Sequence, residues 1–491
     1  MGLLENLVKD TNFGTTENGA IKHVTTHSDV LDMFSLCGSY RNRSDEDCIK
    51  AFALALAENK TLAMKCLFYL RDCRGGQGER RFFRVCYNWL CCYHLELAKN
   101  NMACVPEFGR WDDLIYSTYK TPLWKVAADF IKCRLEFDQE TDTPTLLAKW
   151  MPSENASSAK TREVARALIR EFGWTAKQYR KTLSALRKKI NILETLMSEG
   201  RWDEIEFDKI PSVAGMKYRE AFMRHDIKKE YEKFMKDENT KVNADVLNPV
   251  DIAHKILRQN TNFSEVEILT LQKYWDNLKD YYNGREENGL CMVDVSGSMY
   301  GTPMEAAISM GAYIAERGHG PFANHFITFS SCPKLVEFKG NNIVEKMRFC
   351  EDADWGGSTN LEAAMDLILD TLVNNKSPQS DVPDRFYIFS DMEFDRGIGL
   401  WYSKATEKAT LFENIEKKWR DAGYKMPQVI FWNLDARTQN IPALGDNFSY
   451  ISGFSMNMIE AILSGKTGYD LMLEKLLSER YSIVSVGRLA S

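Results

Sequence analysis

The apolar positions of this chain follow two different rhythms. From about residue 28 to about residue 280 they recur at helical spacing, as in DEDCIKAFALALAEN, TLAMKCLFYLRD, RRFFRVCYNWLCCYHLELAKN and PLWKVAADFIKCRLEFDQE. Strand-like alternation is scarce there. Gly and Pro collect between these stretches, at RGGQGER, VPEFGRWDD and KWMPSENASS, where helix punctuation belongs. Helices joined by short turns predict a stacked all-α array of the solenoid kind, without a clean repeat period.

From about residue 286 the rhythm changes. LCMVDVS, HFITFS, RFYIFSD and QVIFWNLD are short apolar runs rich in β-branched and aromatic residues. Helical segments separate them: PMEAAISMGAYIAERG, LEAAMDLILDTLVNN and KATLFENIEKKWRDAG. This alternation predicts an α/β domain, a doubly wound and mostly parallel sheet with helices on both faces. The expected division is a helical-repeat domain over 1–285 and an α/β domain over 286–491, with Tyr281–Gly289 (YYNGREENG) as linker. In open sheets of this kind ligands gather at the carboxyl ends of the strands.

Composition narrows the class. A chain of 491 residues exceeds what one core organises, which agrees with two domains. At 44% hydrophobic and 27% charged residues it reads as a globular protein, and the net charge of −6 selects no partner. Twelve cysteines without a compact framework point to reduced thiols and a cytoplasmic setting. The start MGLLENLVKD carries no basic region followed by an apolar core, and Asn6 stands where a myristoylation signal wants Ser or Thr. No apolar run approaches the roughly 20 residues that span a bilayer.

Three stretches carry candidate chemistry. DVSGS offers Asp294, Ser296 and Ser298 at the end of an apolar run, WGGSTN offers Thr359 beside Ser358, and YIFSDME places Asp391 at the end of another. Two carboxylates and several hydroxyls make an all-oxygen donor set of the kind hard cations take, Mg²⁺ before Mn²⁺. Gly297, Gly356 and Gly357 would let the backbone turn tightly around the ion. The competing reading of DVSGS alone is a strand-to-helix turn capped by Ser298.

In this order, Asp-x-Ser-x-Ser, Gly-Gly-x-Thr and strand-Ser-Asp, the motifs resemble the von Willebrand factor A domain and its metal-ion-dependent adhesion site. The resemblance implies Asp294, Ser296, Ser298, Thr359 and Asp391 as the metal positions, with Asn360 fitting the loop after the threonine. It also implies a last coordination place filled by a partner's oxygen. A helical (HEAT-like) array followed by such a domain resembles the Ro family, built on the module of telomerase-associated, Ro and vault proteins. In that family the array binds RNA in ribonucleoproteins. RDCRGGQGERR, LLAKWMPSENASS, PSVAGMKYREAF and SGFSMNMIEAIL resemble a set of viral, plant and microbial proteins with the same two halves.

Basic residues cluster in the helical half. Arg71, Arg74, Arg80 and Arg81 surround a Gly-rich turn; Lys177, Arg180, Lys181, Arg187, Lys188 and Lys189 follow without an intervening acid; Lys217, Arg219 and Arg224 are interleaved with aromatics. Basic surface with aromatic platforms is how single-stranded nucleic acid is held without sequence readout, and a solvated helix face is the alternative. Other signals point nowhere. GKT at Gly465–Thr467 lacks the upstream glycine of a phosphate loop, Glu460 standing in its place. His23 and His27 lack a third ligand, and CYNWLCCYH, with Cys86, Cys91, Cys92 and His94, lacks paired zinc knuckles, so its cysteines read as buried core thiols. The expectation is a non-enzymatic RNA-binding protein with a divalent-metal site. The alternative is a metal-dependent protein–protein adaptor whose metal accepts a partner carboxylate. A hydrolase is third, with Glu393 the nearest candidate base.

Overall fold

The four apolar runs of the second half become strands of one sheet in a computed structural model that describes residues 12–190, 192–226, 228–259, 262–328, 333–351, 360–395 and 411–486. Its chain forms two compact units. One takes in the described residues of 1–44 and 244–476, the other those of 45–243 and 477–491.

The first unit opens with a hairpin, β1 (Phe13–Thr15) and β2 (Ile21–His23). Its main sheet has β3 (Gly289–Val293), β4 (His325–Thr328), β5 (Leu335–Glu337), β6 (Arg385–Ser390), β7 (Gln428–Asn433) and β8 (Phe448–Ser452) in the order β5-β4-β3-β6-β7-β8. All pairs are parallel except β4 with β5. Every residue of β3 is buried, as expected of a central strand covered on both faces. Helix Thr302–Arg317 covers the face of Cys291 and Val293, so closely that a Cβ at Gly311 would stand 2.6 Å from Val293 Cγ2. Helix Leu411–Asp421 covers the other, where Phe412 meets Phe431 and Trp419 meets Phe386 edge-on, with centroids 4.6 and 5.9 Å apart. The expected doubly wound sheet is present. Helices Asp29–Leu36, Pro249–Leu257 and Glu265–Asp276 also pack in this unit, against β8, helix Thr302–Arg317 and helix Ile343–Glu351.

The stretch expected as linker is packed. Tyr281, Tyr282 and Glu287 are buried, and Arg385 Nη1 (2.6 Å) and the Tyr387 hydroxyl (2.9 Å) donate to Glu287. A buried carboxylate with these partners pins the chain to the foot of β6 and leaves no free tether.

The second unit is all helical. Helices Asp45–Glu58, Lys60–Arg71, Arg80–Tyr93, Trp111–Thr118, Trp124–Glu140 and Ala159–Phe172 each pack on the next in sequence, the stacking expected of an array. Cys86 and Cys91 face its core, and burial raises both thiol pKa values, that of Cys91 to about 12. Cys92 is exposed, contrary to the core reading, because one further residue turns about 100° around the helix. Among the described residues no helix is long and apolar enough to cross a membrane.

The chain's late segment completes this unit. Tyr481 inserts between Tyr69 and Phe108, stacking on the latter at 5.4 Å. Arg480 binds the buried Asp72 through Nε and through Nη2 (2.6 Å), and the Tyr481 hydroxyl adds a bond of 3.0 Å. Burial alone would raise the Asp72 pKa, but Arg480 and the Arg74 and Gly75 N–H groups hold it below the usual range. Arg480→Ala leaves that carboxylate short of its charged donor and is expected to cost about 2 kcal/mol. Urea unfolding followed by helical circular dichroism checks this, with Arg480→Lys retaining part of the stability.

Candidate metal centre

The parallel pairing of β3 with β6 sets the site. Val293 lies opposite Phe389, so the residues that follow, Asp294 and Ser390, emerge side by side at the carboxyl edge. The Asp294 N–H continues the ladder to the Phe389 carbonyl at 3.0 Å. Its carboxylate is fully buried: Oδ2 accepts from Ser390 Oγ at 2.6 Å and Oδ1 from the Ser296 N–H at 2.9 Å. Ser296 Oγ and Ser298 Oγ lie 3.0 Å apart at the more open rim. Asp391, 2% exposed, accepts from the Glu393 N–H at 3.1 Å and from Arg437 Nη2 at 2.6 Å.

Two buried carboxylates therefore share one strand edge. Desolvation first, and then the charge of Asp391, push the Asp294 pKa up to about 6. The turn that follows Asp391 is strained: Met392 is buried with φ +66°, a left-handed conformation costly for a side chain with a Cβ. Asn440 Nδ2 on the Met392 carbonyl (2.5 Å) and Ser390 Oγ, accepting from the Met392 N–H (3.0 Å), hold it there.

The N-terminal hairpin braces this turn. Thr16 Oγ1 donates to the Phe394 carbonyl (2.7 Å), Asn18 Nδ2 to the Glu393 carbonyl (2.6 Å) and the Glu17 N–H to Glu393 Oε2 (2.7 Å). Thr438 Oγ1 takes Glu393 Oε1 at 2.5 Å, so both oxygens of this buried candidate base serve structure. Ser390, Arg437 and the hairpin were not singled out by sequence reasoning. Ser390 carried a signal, its place beside Asp391. Arg437 carried none, because it arrives on the loop after β7.

Four of the five expected metal positions thus lie on this edge; Thr359, with Ser358, Gly356 and Gly357, lies outside the described residues. Asn360 caps helix Leu361–Asn375, accepting from the Ala363 N–H at 3.0 Å. Among the described residues no three His, Cys, Asp or Glu side chains converge as a metal cage. Two carboxylates and two hydroxyls fit a hard cation that retains several waters, as Mg²⁺ does.

The basic candidates lie in the helical unit and divide by environment. Arg71 and Arg219 are buried, Arg71 with Nη2 2.7 Å from Asp113. Arg187 is spent on the Ala148 and Met151 carbonyls, Arg74 on the Glu107 carbonyl, and Lys189 on the Gln139 carbonyl. Arg81 pairs with Asp45 and Arg180 with Glu154, each at 2.5 Å. Arg224 donates to the Glu220 carbonyl, and Lys217 to the Tyr218 hydroxyl. Arg80, Lys177, Lys181 and Lys188 are exposed and have no ion-pair partner among the described residues.

The raised Asp294 pKa has a sign. Between pH 3.8 and about 6 the folded state keeps a proton that the unfolded chain releases, so stability falls as pH rises through that window. Above it the buried charge costs on the order of 3 kcal/mol. Asp294→Asn keeps the shape and removes the charge. In EDTA it is expected to melt several degrees above the unsubstituted protein at pH 8, with the difference closing below pH 5, as read by differential scanning fluorimetry.

Comparison with known proteins places the chain in a family. The model described as Domain of unknown function (DUF2828) matches residues 16–116 and 132–278, and Domain of unknown function (DUF7788) matches 288–480. The crystal structure of Deinococcus radiodurans RO (RSR) protein is similar across 89% of this chain and all of that one, with 14% identity and a TM-score of 0.38. Uncharacterized protein L728 of Acanthamoeba polyphaga mimivirus is 32% identical, over 93% of this chain and 85% of that protein, which bears out the viral kinship expected from the motifs. With half of its length matched by the first model and this relative aligned nearly end to end, the chain belongs to the DUF2828 family.

Proposed function

We propose that the protein is a non-enzymatic binding protein whose sheet unit holds a divalent cation, Mg²⁺ in the first place, at Asp294, Ser296, Ser298, Asp391 and Thr359, and presents it to an oxygen ligand of a partner. The observation that carries this reading is the pair of buried carboxylates, Asp294 and Asp391, at the ends of adjacent parallel strands. A bound cation adds positive charge to that of Arg437 and leaves water-filled coordination places that a carboxylate can enter. Calorimetric titration of the EDTA-treated protein with Mg²⁺ and Mn²⁺ tests it. Binding is expected in the unsubstituted protein and lost in both Asp294→Ala and Asp391→Ala; retention in either would overturn the assignment.

A second reading, RNA binding by the helical unit, is favoured by one face of helix Ala176–Lys189. Lys177, Lys181 and Lys188 are exposed there at spacings of four and seven residues, which brings them onto one stripe. Phosphate contacts of this kind release counterions, so affinity falls steeply with salt. Fluorescence anisotropy of a labelled single-stranded RNA across a salt series is expected to show that slope. Replacing the three lysines by Glu is expected to reduce it by about 2, at roughly 0.7 per single-strand phosphate contact.

A further inference from the structure

Four arginines and two aspartates meet in the helical unit where helices Lys60–Arg71, Arg80–Tyr93 and Trp111–Thr118 converge. Asp113 is fully buried and accepts from Arg71 Nε (2.7 Å), Arg84 Nε (2.7 Å) and the Arg110 N–H (3.0 Å). Asp112 lies 2.9 Å from Arg84 Nη2 and accepts from Arg110 through Nε (2.8 Å) and Nη2 (2.5 Å). Both carboxylates are saturated by three arginines.

Arg80 is the fourth. It has no ion-pair partner among the described residues, and partial burial, then the like charges of Arg110 and Arg84, lower its pKa. Four guanidinium groups against two carboxylates leave the cluster a surplus of two positive charges, with Arg71, Arg84 and Arg110 fixed in orientation by these bonds. Arg110 is further held against the Trp150 ring, 3.9 Å from its centroid.

Arg84 is also one wall of a groove of about 620 Å³. Trp89, Tyr93 and Tyr116 line it together with Lys160 and Asp45, the latter paired with Arg81. Tyr93 is 73% exposed, and neither its ring nor that of Tyr116 is enclosed. A volume of this order accommodates a small-molecule ligand, and open aromatic rings offer faces on which a base stacks.

We infer that this is a nucleotide site: Arg80, Arg84 and Arg110 take a phosphate, and the adjoining groove takes the attached nucleoside against its aromatic wall. Arg84 and Arg110 hold the aspartates through Nε and Nη2, which leaves their Nη1 donors for a phosphate, and the Arg80 fork can meet two phosphate oxygens at once, which a lysine does not. The surplus charge is neutralised by one phosphate dianion. The inference is independent of the cation reading. Where the nucleotide belongs to an RNA strand, it adds to the second reading a surface other than helix Ala176–Lys189.

Two probes distinguish the sources: AMP by titration calorimetry, and a short 3′-labelled single-stranded RNA by anisotropy, both at low salt with the full chain. Arg80→Glu removes no ion-pair partner and is expected to fold, as circular dichroism checks, and Arg80→Gln is a milder companion. Binding of AMP that weakens about tenfold or more in Arg80→Glu supports a site for free nucleotide. The same loss for RNA without AMP binding supports a site for the strand. If neither probe binds, the inference is overturned. It is also overturned if Arg80→Glu binds both probes as the unsubstituted protein does; RNA binding that then disappears on reversing Lys177, Lys181 and Lys188 leaves the second reading standing without it.

Discussion

The register between β3 and β6 is the constraint on which the sheet unit's chemistry rests. It brings Asp294 and Asp391 to one buried edge, and a slip by one residue would turn the alternating side chains of β3 to the opposite face. The ladder continues one residue beyond the strand, through the Asp294 N–H, and the Ser390 hydroxyl closes onto the Asp294 carboxylate. Two like charges out of water are unfavourable, and Arg437 with three local donors offsets only part of that cost. The raised Asp294 pKa measures what is left. On the reading proposed above, a cation removes the remainder, so the fold stores at this edge the free energy that its ligand releases.

The second half of the constraint comes from far along the chain. Met392 sits in a left-handed turn that a methionine does not adopt unaided. Asn440 holds one side of it, while Thr16, Glu17 and Asn18 hold the residues that follow. The N-terminal hairpin is thus a brace for the loop that carries Asp391. Glu393, which a reading by sequence proximity would offer as a base, is the brace's anchor.

The two units place their charge imbalances in opposite senses. At the sheet edge, the buried Asp294 and Asp391 outnumber Arg437, which leaves the negative charge that the proposed cation would neutralise. In the helical unit, Arg71, Arg80, Arg84 and Arg110 outnumber Asp112 and Asp113, and the imbalance calls for an anion. Asp72 with Arg480 is the balanced case, one buried carboxylate against one guanidinium, completed by the Tyr481 hydroxyl and the Arg74 and Gly75 N–H groups, and it joins the late segment to the array. A similar vocabulary of buried aspartate and arginine therefore yields a balanced structural lock in one place and a cluster with charge left over in the others.

Local pattern alone determined the helices, the strands β3, β4, β6 and β7, and the order of DVSGS and FSDME at strand ends, because periodicity and strand-terminal turns are properties of neighbouring residues. It missed β5 and β8: LVE is only three residues long, and serines interrupt the apolar run in FSYIS. It gave residues 28–280 a helical texture but not what helices Asp29–Leu36 and Pro249–Leu257 pack on, since an apolar stripe records that a face is buried and not against which partner. The same blindness covered Arg71, read as surface and found locked to Asp113, and Tyr281 with Tyr282, read as tether and found in the core. Only tertiary structure decided that Arg437 reaches Asp391, that residues 16–18 brace a turn near residue 392, that Arg480 closes on Asp72, and that Arg80 is the arginine left without an acid. Each of these is a pairing of charges or hydrogen-bond groups across tens to hundreds of residues, and such pairings leave no periodic trace in the chain that makes them.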